Sequence, residues 1–248
     1  IANNKSTTSF QMGGGVTGFP KSKVTMNDGI IAGNKSGTGG GIAVSEQYIG
    51  SPNNTLGSES AHVNTNYESY LAKNKAEAFI DGGLIYDNSA GTSAGGVYVD
   101  GNHVNFGKVM ILNNHAGQFG GGIYVSFPPI VQTLKDILVT DNRANATWSD
   151  ALGGGNGGGL WNCPTGFVHI GDGHSVYVYN NESESHGKDI TFSKKTWFFE
   201  LNKVRLQSEF YSLISPVTKD GNFIKFIEDG KSGVSIPERL SYTKYLIN

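Results

Sequence analysis

Asp87 and Asp141 are the acidic pair with the spacing acid–base chemistry needs. They hold the same position in two copies of a repeated phrase, with one further copy between them. If the copies stack as strands about 4.8 Å apart, the two backbones lie roughly 9–10 Å from each other. That is close to the upper separation of the carboxylates that flank a water in an inverting glycosidase. The column they share also holds Asn3, Gly33, Asn113 and Asn180. All are types that tolerate positive φ, so a left-handed turn is the expectation, and catalysis by Asp87 and Asp141 is the alternative.

Other chemistry is thinner. His169, Asp172 and His174 could present metal ligands within one short loop, but the glycines between them suit a turn. Asp28, Asp81 and Asp136 precede Ile30, Leu84 and Ile137 and could take Ca²⁺; solvated turn acids are expected instead. No metal site is expected, and Ca²⁺ is the one possible cofactor. The glycine run 153–159 lacks the Gly-Lys-Ser/Thr of a phosphate loop and reads as a turn or insertion. Cys163, the single cysteine, has no nucleophile context and no partner for an intrachain disulfide. Tyr48, His62, Tyr67 and Tyr70, set among Ser, Asn and Gly over about 45–70, have the composition of a recognition loop; Trp148 is a second candidate.

The elements that must position these residues form a repeat. Ile31-Ala-Gly-Asn34-Lys-Ser36 followed by Gly39-Gly-Gly41-Ile42 recurs as Ile85 to Ala90 with Gly95-Gly96-Val97. It recurs again as Ile111 to Ala116 with Gly120-Gly-Gly122-Ile123, and as Val139 to Ala144 with Gly157-Gly-Gly159-Leu160. The chain opens with a copy, Ile1 to Ser6, so it is expected to be part of a longer protein. Val178 to Ser183 with Gly187-Lys-Asp-Ile190 is a worn copy, and Leu71 to Ala76 resembles a seventh without glycines. Asn4 to Asn34 spans 30 residues, Asn88 to Asn114 spans 26 and Asn114 to Asn142 spans 28. These set a coil of 26–30 residues, whereas 54 from Asn34 to Asn88 and 39 from Asn142 to Asn181 imply insertions. Short β-branched runs broken by glycine are strand-and-turn composition. Three strands and three turns per coil would use that length, giving a stacked repeat whose stability is close to a nearest-neighbour sum.

Each column has a job. Ile1, Ile31, Ile85, Ile111, Val139 and Val178 form an apolar, β-branched column expected to face inward. Asn4, Asn34, Asn88, Asn114, Asn142 and Asn181 are invariant, as a ladder of amides bonded from copy to copy requires. The last column is small: Ser6, Ser36, Ala90, Ala116, Ala144 and Ser183. The sequons at Asn4, Asn34 and Asn181 are then by-products of the ladder; two others begin at Asn53 and Asn145. The glycine triplets mark a second sharp turn.

These phrases resemble the repeats of bacterial right-handed parallel β-helix surface proteins. The chlamydial polymorphic membrane proteins carry Phe-x-x-Asn and Gly-Gly-Ala-Ile where this chain has Ile-x-x-Asn and Gly-Gly-Gly-Ile. Gram-positive cell-wall proteins with pectin-lyase-like β-helices are similar in their worn last coil. The resemblance covers about residues 1–192. It implies an all-β, right-handed parallel β-helix, a single-stranded β-solenoid. It also implies adhesin, polysaccharide lyase or hydrolase function, the enzymes using clustered acids with a basic residue or Ca²⁺.

Composition agrees with a repeat and excludes other classes. Glycine numbers 36 among 248 residues without a Gly-X-Y period, and charged residues are 16% against the usual ~25%. A net charge of −2 gives no electrostatic footprint for nucleic acid, and no transmembrane run is visible. Only Gly221, Gly230 and Gly233 of the 36 glycines fall in 194–248, yet 9 of the 27 aromatics do, Trp197 and Phe199 among them. The organisation expected is therefore repeats over 1–193 and a C-terminal cap or small appended domain over 194–248. The functional expectation is a secreted or cell-surface, adhesin-like, non-enzymatic monomer binding a host-cell receptor or glycan. It would bind no nucleic acid and insert in no membrane. A carbohydrate-active enzyme and a structural stalk are the alternatives.

Overall fold

A computed structural model of the chain describes residues 1–6, 11–45, 76–100, 103–126, 132–146, 154–162, 168–170, 176–185, 187–192, 204–206 and 210–212. Every regular element among them is a β-strand, and every strand pairing is parallel. No helix in the described residues is long and apolar enough to cross a membrane.

The strands fall into four sheets, and the chain visits them in a fixed order. The first sheet holds Lys23–Met26, Glu77–Ile80, His103–Gly107, Gln132–Lys135 and Val168–Ile170. The second holds Ile30–Ala32, Leu84–Tyr86, Met110–Leu112, Ile137–Thr140, Val176–Tyr179 and Val204–Leu206. The third is made of two-residue strands: Lys35–Ser36, Ser89–Ala90, His115–Ala116, Arg143–Ala144 and Glu182–Ser183. The fourth runs through Val16–Gly18, Ile42–Ser45, Val97–Asp100, Ile123–Ser126, Leu160–Asn162, Ile190–Phe192 and Phe210–Ser212. Each coil thus carries four strands where the sequence suggests three. The extra one is the two-residue strand after each asparagine, too short to show any period-2 pattern.

Register follows the inward apolar column. Ile31 pairs with Ile85, Ile85 with Ile111, Ile111 with Val139 and Val139 with Val178. A slip of one residue would turn this column outward, so burial fixes the register. The four lower members are inaccessible to solvent and Ile31 is only 5% exposed. From the fourth sheet Ile42, Val97, Ile123, Leu160 and Ile190 meet them, and from the first Ile80, Val104, Phe106 and Leu134, in one core.

Two kinds of turn close each coil. The first lies between the second and third sheets. There Asn3, Gly33, Asp87, Asn113, Asp141 and Asn180 all have φ between 52° and 65°, the left-handed region their types favour. The second is the glycine triplet between the third and fourth sheets. Its first residue is left-handed at Gly13, Gly39, Gly120, Gly157 and Gly187, with φ of 61–66°; Ala94 takes that conformation where one coil has no glycine. Its second residue is glycine because the next coil is in the way: a Cβ on Gly121 would sit 2.4 Å from the Gly158 carbonyl oxygen.

The Leu71–Ala76 phrase, Ala76 excepted, lies outside the described residues, and no rung of the ladder comes between Asn34 and Asn88. Asn34, 54 residues before Asn88, bonds to it directly, at 2.9 Å between the Asn34 amide nitrogen and Asn88 Oδ1. Ala76 leads into the Glu77–Ile80 strand of the first sheet. At the far end, Val204–Leu206 and Phe210–Ser212 pair in parallel with Val176–Val178 and Ile190–Phe192. They extend the second and fourth sheets beyond residue 193. The rest of 194–248 lies outside the described residues.

Candidate functional site

The asparagine column comes together as one continuous ladder. Each asparagine donates its backbone N–H and its side-chain amide to the Oδ1 of the next: Asn88 to Asn114 at 3.0 Å for both, and Asn114 to Asn142 at 2.9 and 3.0 Å. The second amide proton goes back to the carbonyl of the preceding coil's apolar column, as from Asn114 Nδ2 to Ile85 O. Every buried amide of the ladder is thereby satisfied, which is what makes a polar row tolerable in a core. Asn34, Asn88, Asn114, Asn142 and Asn181 are at most 2% exposed, so the Asn34 and Asn181 sequons have no surface acceptor. Asn4 is the exposed end of the row.

Asp87 and Asp141 sit on exposed left-handed turns. Asp141 accepts hydrogen bonds from Asn180 Nδ2 and, at 3.2 Å, from Thr140 Oγ1, while Asn113 stands between the two acids. Asp28, Asp81 and Asp136 are exposed in the turns leading from the first to the second sheet. Among the described residues no group of three or more His, Cys, Asp or Glu could hold a metal ion. Tyr48, His62, Tyr67, Tyr70, Trp148, Cys163, Asp172 and His174 lie outside the described residues. His169 falls in the Val168–Ile170 strand.

The arrangement that sequence reasoning missed is on the outside of the second sheet. In a strand with one face on a core, the alternate residues should be polar. Here most of them are apolar. One outward column runs Ile30, Leu84, Met110, Leu138 and Tyr177, and the other Ala32, Tyr86, Leu112, Thr140 and Tyr179, of which Ala32 and the polar Thr140 are covered. Ile30 is 56% exposed, Met110 44% and Tyr86 40%. Five rungs span about 19 Å at strand spacing, and the two columns stand about 7 Å apart. A contiguous apolar face of this extent is the ordinary mark of an interaction surface. A hollow of about 440 Å³ opens in it, lined by Met110, Leu138, Tyr177 and Tyr179 with Lys108 and Asp136 at its rim. Lys108 and Asp136, at the same place in successive coils, both hold positive φ, 51° and 50°. The signal was present in the sequence: a large apolar residue directly precedes the inward Ile or Val in all five of these coils.

The other two aromatic rows differ. On the fourth sheet Tyr98 stacks on Tyr124 at 5.1 Å, and Phe119 stacks on Trp161 at 4.8 Å. Trp161 is only 5% exposed and Ala43, in the same outward column, not at all, so this row is packing. On the third sheet Arg143 bridges Glu182 at 3.5 Å and Glu184 at 3.2 Å. The Ala146 N–H, and after it Arg143, hold the Glu184 carboxyl below its ordinary pKa.

Fold and site together define an all-β repeat protein of stacked parallel coils with one apolar outer face. No family model, curated protein or solved structure matches the chain.

Proposed function

We propose that the chain is a right-handed parallel β-helix, similar to pectin-lyase-like and chlamydial surface repeats, acting as an adhesin-like binding rod outside the cell. Right-handedness is what parallel crossovers adopt in about 98% of cases. The observation that carries the binding reading is the outward row Ile30–Leu84–Met110–Leu138–Tyr177 with Tyr86, Leu112 and Tyr179 beside it. A stalk has no need of such a face. A polysaccharide-cleaving enzyme needs clustered acids, and Asp87 and Asp141 stand instead on separate exposed turns. The partner is a host-cell receptor or glycan, and the 45–70 loop with Tyr48, His62, Tyr67 and Tyr70 is a second contact region.

The test is a host-cell and glycan-array binding screen run beside a polysaccharide-degradation assay. The wild type is compared with Met110→Ser/Leu138→Ser and with deletion of 47–68. Binding that falls in the double variant while the thermal midpoint holds supports the reading. Turnover of a polysaccharide, lost in Asp87→Asn or Asp141→Asn, overturns it in favour of the enzyme. Binding untouched by the double variant removes this face as the site.

A further inference from the structure

The same face carries information about what it binds. The row is mainly aliphatic: Ile30, Leu84, Met110, Leu112 and Leu138 outnumber Tyr86, Tyr177 and Tyr179. Sugar rings are held by flat aromatic platforms with polar groups around them, whereas branched aliphatic side chains and methionine pack against other apolar side chains. The face therefore fits a protein better than a glycan.

Its edges are mainly acidic. The turns that bound the second sheet bear Asp28, Asp81 and Asp136 on one side and Asp87 and Asp141 on the other, all exposed. Against these five aspartates stand two exposed cations on the same side, Lys108 and Lys135, the latter in register with Asp81. An apolar strip between two acidic edges is complementary to an apolar ridge between two basic ones. The chain's net charge of only −2 makes this concentration of carboxylates a local feature of one face.

We infer that the partner is a protein segment whose apolar ridge is flanked by lysine or arginine, laid along the stack across the strands. The inference rests on the reading of the second sheet's outer face as the binding face. An amphipathic helix suits the geometry: it presents its ridge once per 5.4 Å turn, close to the roughly 4.8 Å rung spacing. Over five rungs the drift is about 2–3 Å, within the reach of Met110 and the leucines. Leucine-type anchors enter between the coils, where the hollow lined by Met110, Leu138 and Tyr177 accepts one, and basic side chains reach the aspartates at either edge.

The probes are three synthetic amphipathic helical peptides with one leucine ridge in common and flanks of lysine, glutamate or glutamine. They are titrated against the whole chain as wild type, as Met110→Ser/Leu138→Ser, and as Asp28→Asn/Asp87→Asn/Asp136→Asn/Asp141→Asn. Asparagine already occupies the left-handed column of Asp87 and Asp141 at Asn113 and Asn180 and tolerates the positive φ of Asp136, and a thermal melt verifies that the last variant keeps its turns. The lysine peptide should bind the wild type at least about tenfold tighter than the glutamate peptide. Its affinity should fall about tenfold in the asparagine variant and disappear in the serine variant. Equal binding of the three peptides, or a lysine peptide indifferent to Met110→Ser/Leu138→Ser, overturns the inference. If no peptide binds while cell or glycan binding still depends on Met110 and Leu138, the binding face stands and the cationic partner falls.

Discussion

Asp189 stands in for an asparagine that the stack does not have. Asn181 donates its backbone N–H and its side-chain amide to Asp189 Oδ1, at 3.2 and 3.1 Å, the two bonds every earlier asparagine makes to the next coil. In sequence Asp189 occupies the third place of a glycine triplet, the place of Gly15, Gly41, Gly122 and Gly159. Those glycines leave room for the neighbouring ladder side chain: a Cβ on Gly159 would come within 2.8 Å of Asn181 Nδ2. With no further asparagine to bond, the carboxylate fills the space. Replacing Asp189 by glycine removes the acceptor of the buried Asn181 backbone N–H, while Asn181 Nδ2 keeps the Val139 and Tyr179 carbonyls, so stability should fall by about 1–3 kcal/mol in urea unfolding. Asp189→Asn keeps the acceptor and should lose less. Equal losses in the two variants would show that the oxygen is not what matters.

Within the ladder the cost should be larger than at its open end. Asn114 accepts two hydrogen bonds from Asn88 and donates to Asn142 and to the Ile85 carbonyl. Asn114→Ala strands the Asn88 donors in a solvent-free row and should cost about 3 kcal/mol or more. Asn4→Ala, at the exposed rung, should cost under about 1 kcal/mol. The comparison of their urea midpoints at constant m checks it.

Much of this was legible before any coordinates. The asparagine, apolar, small and left-handed columns were readable because each repeats a strict residue type for a strict physical reason. The two-residue third-sheet strands escaped because nothing in Lys35-Ser36 or His115-Ala116 distinguishes a strand from a turn. The spacing of 54 residues, close to two coils of 27, suits an insertion or an extra copy at Leu71–Ala76, and the Asn34–Asn88 bond decides against a rung between them. The outer face is hard to see in the sequence because Ile30 beside Ile31 and Met110 beside Ile111 read as one apolar run. The candidate loop residues Tyr48, His62, Tyr67, Tyr70 and Trp148 belong to insertions that no repeat constrains.

Glycine to alanine changes should separate crowding from mere location on the surface. A Cβ at Gly121 meets the Gly158 carbonyl oxygen at 2.4 Å and the Arg143 carbonyl at 2.5 Å, all backbone that cannot rotate away. Gly91 meets nothing nearer than 3.8 Å and its φ is not left-handed. Gly121→Ala should sharply reduce soluble yield and lower the thermal midpoint. Gly91→Ala should stay within about 0.5 kcal/mol of the wild type. Similar midpoints for both would contradict coil-to-coil contact at the glycine triplet.

The Glu184 carboxylate gives the stack a pH dependence of known sign. Its folded pKa lies below its ordinary value of 4.5, chiefly through the Ala146 N–H and then through Arg143. A lowered folded pKa means the stabilisation is present above the unfolded pKa and is lost as pH falls through the folded one. Melting temperature should therefore decline on acidification below about pH 4.5, and Glu184→Gln should flatten that part of the decline. The difference should be small and shrink with salt, because the group is solvent-exposed. A variant whose melting profile matches the wild type from pH 6 to 3 would show that Glu184 makes no such contribution.

Asp87→Asn and Asp141→Asn test whether the left-handed column is structural or catalytic. The fold already holds asparagine in this conformation at Asn3, Asn113 and Asn180, with φ of 58°, 52° and 56° beside 53° and 56° at the two acids. Asparagine tolerates this region as well as aspartate, so each variant should unfold within about 0.5 kcal/mol of the wild type. Asp87→Val would instead force a β-branched side chain into positive φ and should cost more than 1 kcal/mol. This order, Asn neutral and Val costly, is what a turn column requires. A catalytic pair would give a different pattern, with chemistry lost in both asparagine variants at unchanged stability. Assaying the same two proteins by urea unfolding and by polysaccharide turnover therefore decides between the two roles of one column.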